Sequence, residues 1–211
     1  MSLSVWLLYI TFAAAATLSP GPAALVALRN GLSGGTWRVA ASSLGNITGI
    51  ACVAGLATLG LGAVLHTSEW LFTLLKTCGA LYLIYLGIRQ WRSSSSLLAA
   101  LSATRAPAGW SPLKTFGEGY LVAISNPKAI LFFSALFPQF IAASRPLLPQ
   151  FLILIATIMT MSFLALMGYG LLAGRLAHRL RSPRWARRFQ RTLGGLFIGL
   201  GVSLFRIRLP A

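Results

Sequence analysis

Two short strings, Ser19-Pro20-Gly21-Pro22 and Asn126-Pro127-Lys128, interrupt stretches of the chain that are otherwise strongly apolar. Each joins a residue that favours the helix N-cap to a proline, which is how a new helix begins. A helix that stops and restarts inside a bilayer leaves backbone groups without partners, and hydrocarbon cannot supply them. Such breaks persist only where they are buried in protein or line a watery cavity. Paired breaks in the two halves of a membrane protein therefore predict a binding site for a transported solute.

Composition places the chain among multi-pass membrane proteins, because 56% of its 211 residues are hydrophobic and only 9% are charged. We expect an all-α fold with six membrane-spanning helices, in residues 1–28, 39–68, 70–88, 119–144, 146–174 and 192–205. Helices 1 and 4 of this set contain the proline breaks. The first stretch lacks a basic start and exceeds the apolar core of a signal peptide, so we expect it to be retained.

The distribution of basic residues predicts how the chain is oriented. A net charge of +16 would suggest nucleic acid as the partner of a soluble protein. Here, 13 of the 18 lysines and arginines lie in the connections after the first, third and fifth spans. Positive residues mark the cytoplasmic side of a membrane. We therefore expect the three basic connections to face the cytoplasm and both termini to lie on the periplasmic or extracellular side, and we expect no nucleic-acid partner.

The richest basic connection, Arg175–Arg191, contains seven arginines. Its simplest role is to determine orientation. A second interpretation is that it lies on the membrane surface and contacts anionic lipid headgroups.

The chain also contains a weak internal repeat. The segment Lys76–Leu83 returns as Arg191–Ile198, with basic, Thr, Gly, Leu and aromatic positions in register at an offset of 115 residues. The prolines of the two breaks, Pro20 and Pro127, recur at a similar offset of 107. Three spans in each half would invert the second half relative to the first. We predict a 3+3 inverted-topology repeat, with halves at 1–92 and 119–211 and a cytoplasmic linker at 93–118.

At the breaks, Ser19 and Asn126 would cap restarted helices, and Gly21 would let a ligand approach the backbone closely. The helix N-termini would direct N–H groups and partial positive charge towards the bilayer interior, where a carboxylate is stabilised. Lys128 adds a full charge, which costs ~2.5–3.5 kcal/mol at mid-membrane and should therefore face the bundle interior. The expected substrate-binding residues are Ser19, Pro20, Gly21, Pro22, Asn126, Pro127, Lys128 and Asn46. A structural alternative is that the prolines are kinks and that Lys128 pairs with a carbonyl or with Glu118.

Other polar residues in the spans are less decisive. Asn46 lies between Gly45 and Gly49, whose spacing suits close helix packing, so an interhelical hydrogen bond is its favoured role. The two acids of the chain, Glu69 and Glu118, are at span ends, where interfacial placement is favoured over a role in coupling transport to ions.

These motifs resemble the LysE/RhtB amino-acid exporter family. The resemblance is carried by Ser19–Pro22, the glycine-spaced segment Arg29–Gly49, Lys76–Gly87, Asn126–Ala129 and Phe137–Phe140. It implies an inner-membrane secondary exporter with about six helices, driven by an ion gradient. The family's proline-glycine-proline motif falls on Pro20, Gly21 and Pro22, and its asparagine-proline-lysine motif falls on Asn126, Pro127 and Lys128. Many members have Asn directly after the first motif, whereas this chain has Ala23.

The leading hypothesis is export of an amino acid or close analogue by proton- or ion-coupled alternating access. No nucleotide-binding P-loop pattern is present, and we expect no enzyme activity, cofactor or metal. The sequence also permits a homo-oligomer.

One alternative is a membrane thiol–disulfide electron-transfer protein. Membrane thiol reductases of similar fold place cysteines beside paired prolines, but here those positions are Ser19 and Asn126. Cys52 and Cys78, both in predicted spans, are the remaining thiols. A metal-ion exporter would need clustered Asp, Glu, His or Cys, which the sequence lacks.

Overall fold

The computed structural model describes residues 2–65, 69–92, 110–142, 145–173, 175 and 183–206, and these residues contain helices and no β-strand. The α-helices are α1 (Leu3–Leu18), α2 (Pro22–Leu65), α3 (Glu69–Arg92), α4 (Pro112–Ile124), α5 (Pro127–Leu131), α6 (Leu147–Leu171) and α7 (Pro183–Arg206). A π-helical turn (Phe132–Leu136) and a 3-10 turn (Phe137–Phe140) extend α5.

The first proline string separates α1 from α2. Ser19 adopts an extended conformation (φ −72°, ψ 119°), because the ring of Pro20 disfavours helical geometry in the preceding residue. The helices Leu3–Leu18 and Pro22–Ser33 meet at an angle of 56°. The chain therefore changes direction within its first apolar stretch.

The second proline string separates α4 from α5 in a similar way. Asn126 is extended (φ −78°, ψ 109°) ahead of Pro127. Its side-chain oxygen accepts a hydrogen bond of 3.0 Å from the backbone N–H of Lys128. This is the N-cap geometry expected for Asn, and it starts a new helix after a gap of two residues.

Helix α2 consists of two helices that meet at Gly35, where the backbone is not helical (φ 73°) and a side chain would be strained. The first contains Pro22–Ser33 and the second contains Gly35–Thr58, so the break lies between the expected end of the first span and the expected start of the second. Two other helix boundaries differ from the expected ones because charged residues were taken as ends of spans. Helix α4 begins at Pro112, inside the predicted linker, of which residues 93–109 lie outside the described residues. Helix α7 begins at Pro183, inside the arginine-rich connection, of which 176–182 lie outside the described residues.

Length and composition allow two of the described helical segments, Gly35–Thr58 and Leu147–Leu171, to cross a membrane. The bent pair formed by Leu3–Leu18 and Pro22–Ser33 is a third candidate. Helix α4 has only 13 residues and is too short to be a candidate, and α3 is not among the candidates either. The six-span arrangement stays a prediction.

Helices α1 and α6 run parallel to each other. The hydroxyl of Tyr9, early in α1, donates to the carbonyl of Leu154, early in α6, at 3.0 Å. The hydroxyl of Tyr169, late in α6, donates to the carbonyl of Leu18 at 2.6 Å. Tyr9 also packs edge-on against Phe140, with ring centroids 5.1 Å apart, in the main buried cluster.

The part of α2 that follows Gly35 runs parallel to α4, and the two approach each other at glycines. A Cβ atom at Gly45 would lie 1.9 Å from the carbonyl oxygen of Phe116, and one at Gly49 would lie 2.8 Å from that of Tyr120. A Cβ atom at Gly119 would lie 1.9 Å from the carbonyl oxygen of Ser42. The glycine spacing around Asn46 therefore serves close backbone packing, as its pattern indicated.

Helices α3 and α7 are antiparallel. A Cβ atom at Gly87 would lie 2.7 Å from the carbonyl oxygen of Gly194, and one at Gly201 would lie 2.9 Å from that of Ala80. Each contact joins a residue of one copy of the repeat, Gly194 or Ala80, to a glycine just beyond the other copy.

We predict that Gly119→Ala destabilises the fold, because its methyl group would force α4 away from the α2 backbone. Overpacking of this kind costs about 1–3 kcal/mol. Gly117→Ala, two residues away in the same helix, is the matched control because nothing lies within 4 Å of the added atom. Thermal melting of the purified protein in detergent should show a lower midpoint for Gly119→Ala alone. Equal midpoints for the two variants would contradict this packing.

Candidate functional site

The ammonium of Lys128 connects the two proline breaks. It donates a hydrogen bond of 2.7 Å to the carbonyl of Ala16 and one of 3.0 Å to the carbonyl of Ser19. The last four carbonyls of a helix have no partner within that helix. Lys128, together with the Tyr169 hydroxyl on Leu18, supplies donors to the end of α1.

The carbonyl pairing is one of the structural alternatives considered for Lys128, whereas the pairing with Glu118 is not observed. A cation is favoured at a helix C-terminus because the helix dipole is negative there. An ammonium has three N–H donors. Two are used by α1, and among the described residues the third has no protein partner.

Gly21 gives Lys128 an open side. A Cβ atom on Gly21 would lie 3.7 Å from the Lys128 nitrogen, which is ordinary contact distance. The N-cap side chains of both breaks, Ser19 and Asn126, are buried. The structure therefore brings Ser19, Gly21, Asn126 and Lys128 together around one point.

Two cavities meet these four residues. The smaller, of about 70 Å³, has room for roughly two water molecules and not for an amino acid. The larger, of about 380 Å³, also touches Pro20, Pro22 and Pro127. All the residues expected at the breaks therefore line the larger cavity, the smaller one, or both.

Asn46 lies apart from the larger cavity and lines the smaller one. Its side chain is buried in α2, between the glycines that contact α4. Ala23, the position at which this chain differs from many LysE/RhtB members, lines the same small cavity.

The larger cavity has a second wall that sequence reasoning missed, formed by α3 and α7. It consists of Tyr82, Leu86, Arg89, Gln90, Gln190 and Phe197. Gln190 is only 2% exposed, and its amide oxygen has no hydrogen-bond partner among the described residues. The signal available in the sequence was a set of polar residues at the basic ends of two repeat-related helices.

Comparison with known protein families identifies the family of this chain. Residues 14–207 match the family described as LysE type translocator. The chain belongs to the LysE type translocator family. The earlier resemblance is thereby confirmed, and the protein is a membrane transporter.

Relatives of this translocator match over nearly its whole length. It is 38% identical to an uncharacterized membrane protein of Vibrio cholerae, over 97% of this chain and 98% of the relative. It is 34% identical to a homoserine/homoserine lactone efflux protein of Salmonella typhi, over 99% of each chain. It is 31% identical to a leucine efflux protein of an Enterobacter species, over 93% of this chain and 92% of the relative. No solved structure matches it.

Glu118 pairs with another residue and not with the Lys128 ammonium. Glu118 forms a close ion pair with Arg29, which joins α4 to α2. The guanidinium of Arg29 also donates to the side-chain oxygen of Asn30 at 3.3 Å. Glu69 is the first residue of α3. A coupling role for either acid stays a prediction.

The cysteines of the translocator are free thiols. Cys52 and Cys78 are both exposed, and Cys52 accepts a hydrogen bond of 3.6 Å from the Tyr120 hydroxyl. Neither thiol lines either of the two cavities beside Lys128. Within the described residues no group of three or more His, Cys, Asp or Glu side chains could hold a metal.

We predict that Arg29 and Glu118 stabilise the fold as a coupled pair. Glu118→Gln leaves the largely buried guanidinium of Arg29 without its carboxylate, at a cost of about 1–3 kcal/mol. The double variant Arg29→Gln/Glu118→Gln should lose less stability than the two single variants combined, because neither charge is left unpaired. A double-mutant cycle of thermal stability measures this difference, and strictly additive losses would contradict it.

Proposed function

We propose that this translocator is a secondary exporter of amino acids or close analogues, and that the substrate carboxylate binds at Lys128. The observation that carries the proposal is the position of the Lys128 ammonium. It ties together both helix breaks, retains one donor, and lines two cavities at once.

The names of the relatives support this class of cargo. One relative is called a homoserine/homoserine lactone efflux protein and another a leucine efflux protein. The shared chemistry of homoserine and leucine is an α-carboxylate beside an α-ammonium, with side chains of different polarity. A site built around the Lys128 ammonium and a bare glycine would recognise that carboxylate.

Binding would begin in the larger cavity. The substrate carboxylate accepts a hydrogen bond from the third N–H of Lys128. Because Gly21 has no side chain, there is room for the carboxylate beside the ammonium. Charge-assisted hydrogen bonds of this type are stronger than neutral ones. As the carboxylate draws Lys128 towards itself, the bonds to Ala16 and Ser19 weaken. The junction of α1 and α2 is then freed to move.

The directions of the packed helices support an inverted repeat. A two-fold axis in the membrane plane that exchanges the halves converts the parallel pair α1–α6 into the parallel pair formed by α4 and the part of α2 after Gly35. It maps the antiparallel pair α3–α7 onto itself. We propose that the two halves rock about this axis and alternately open the Lys128 site to either side of the membrane.

The larger cavity would be the cytoplasmic access route. Arg89 and Gln90 on its wall lie at the end of α3 that leads into a basic connection. Basic connections mark the cytoplasmic face of an inner membrane, which would leave both termini in the periplasm. Coupling to protons or another ion would supply the driving force, with Glu118 and Glu69 as the available acids.

We predict that Lys128→Gln abolishes export while the protein remains folded. Glutamine keeps amide donors near the end of α1 but loses the charge. Losing a charge-assisted hydrogen bond weakens carboxylate binding roughly 10- to 150-fold. Uptake of labelled homoserine or leucine into everted membrane vesicles measures this loss. The matched control is Lys114→Gln, an exposed lysine of α4, and normal uptake by Lys128→Gln would refute the assignment.

We predict that Gly21→Ala reduces uptake without loss of thermal stability. The added methyl group would meet the Lys128 nitrogen at 3.7 Å, so it fits, but it occupies the space assigned to the carboxylate. Gly55→Ala, a helix glycine with nothing within 4 Å, is the control. Uptake equal to that of the control would place the carboxylate elsewhere.

A further inference from the structure

We propose that the wall formed by α3 and α7 is a second substrate subsite, in which Gln190 accepts a hydrogen bond from the cargo and Arg89 excludes cationic cargo. This proposal rests on the proposed export function and specifies its substrate class. The cargo would be amino acids with uncharged or acidic side chains, and amino acids with basic side chains would be rejected.

The first supporting observation is the unused hydrogen-bonding capacity of Gln190. Its side chain lines the larger cavity, it is 2% exposed, and its amide oxygen has no partner among the described residues. A buried polar atom without a partner is rare and disfavours the folded state. No hydrogen bond from the described residues holds this oxygen, so turning the amide to present the oxygen to a donor in the cavity would break none. An α-ammonium or a hydroxyl of the cargo is such a donor.

The second observation is the charge of the cavity. Lys128 and Arg89 both line it, and among the described residues neither forms an ion pair. The chain has two acids in all, and no described acidic side chain lines the larger cavity. Of these acids, Glu118 is already paired with Arg29. A cargo with a second ammonium or a guanidinium would therefore meet two like charges and no counter-ion, which opposes its binding.

The remaining wall residues fit a small cargo of mixed polarity. Leu25, Leu86 and Phe197 are apolar, whereas Tyr82 and Gln90 carry further polar groups. Both a hydroxylated and an aliphatic substrate side chain can contact residues of matching polarity here. The wall therefore discriminates between substrates by their charge.

The test uses the purified full-length protein in liposomes with labelled L-homoserine, L-leucine, L-glutamate and L-lysine. The unaltered protein should transport at least one of the first three and exclude lysine. Gln190→Leu should raise the KM about tenfold with little change in kcat, because one hydrogen bond to the bound cargo is lost. Thr192→Val, an exposed α7 residue two positions away, is the control and should leave the KM unchanged.

The charge argument has its own variants. Gln190→Glu adds an anion to the cavity and Arg89→Gln removes a cation, so both should make lysine a markedly better inhibitor of homoserine transport. An unchanged KM in Gln190→Leu, or lysine transport by the unaltered protein at a rate similar to homoserine, would overturn the subsite. If transport of homoserine or leucine persists in those cases, the proposed export function survives. If none of the four probes is transported, the export function fails and this inference fails with it.

Discussion

The organisation around Lys128 follows from the requirement that a broken helix inside an apolar bundle find partners for its free backbone groups. The carbonyls at the end of α1 receive donors from Lys128 and from Tyr169, which lie on helices distant in sequence. Leaving such groups unpaired and buried would cost about 1–3 kcal/mol each. The interruption of α1 therefore depends on hydrogen-bond donors from two other helices, α5 and α6.

Much of this arrangement is readable from the sequence. Proline after Ser19 and after Asn126 predicts where helices stop and restart, and the structure has boundaries within two residues of both. The LysE resemblance was also readable, because both motifs occur in order. The break between the first two spans was also predictable, since it lies at Gly35, between Arg29 and Arg38. The limits of the later helices were less predictable, because α4 begins at Pro112 and α7 at Pro183. A charge limits how deep a helix is buried, but it does not end the helix.

The hydrogen-bond and cavity partners of the functional side chains could not be predicted from the sequence. Nothing local to Lys128 indicates that its ammonium contacts Ala16, which is 112 residues away in the chain. Likewise, Gln190 and Arg89 belong to elements whose proximity depends on the packing of α3 against α7. Sequence pattern identified the polar residues that sit beside prolines. It missed those that become important only when distant helices are brought together.

The fixed positive charge between the two cavities has a consequence for the empty protein. A transporter that opens alternately to the two faces of a membrane must not leak hydronium or sodium ions when no substrate is bound. Positive groups along a pore exclude such ions, as an arginine does in water channels. The ammonium bound to the carbonyls of Ala16 and Ser19 places such a positive charge at the point where the two cavities meet. The ammonium that binds the substrate carboxylate would thus also prevent cations from leaking through the empty protein.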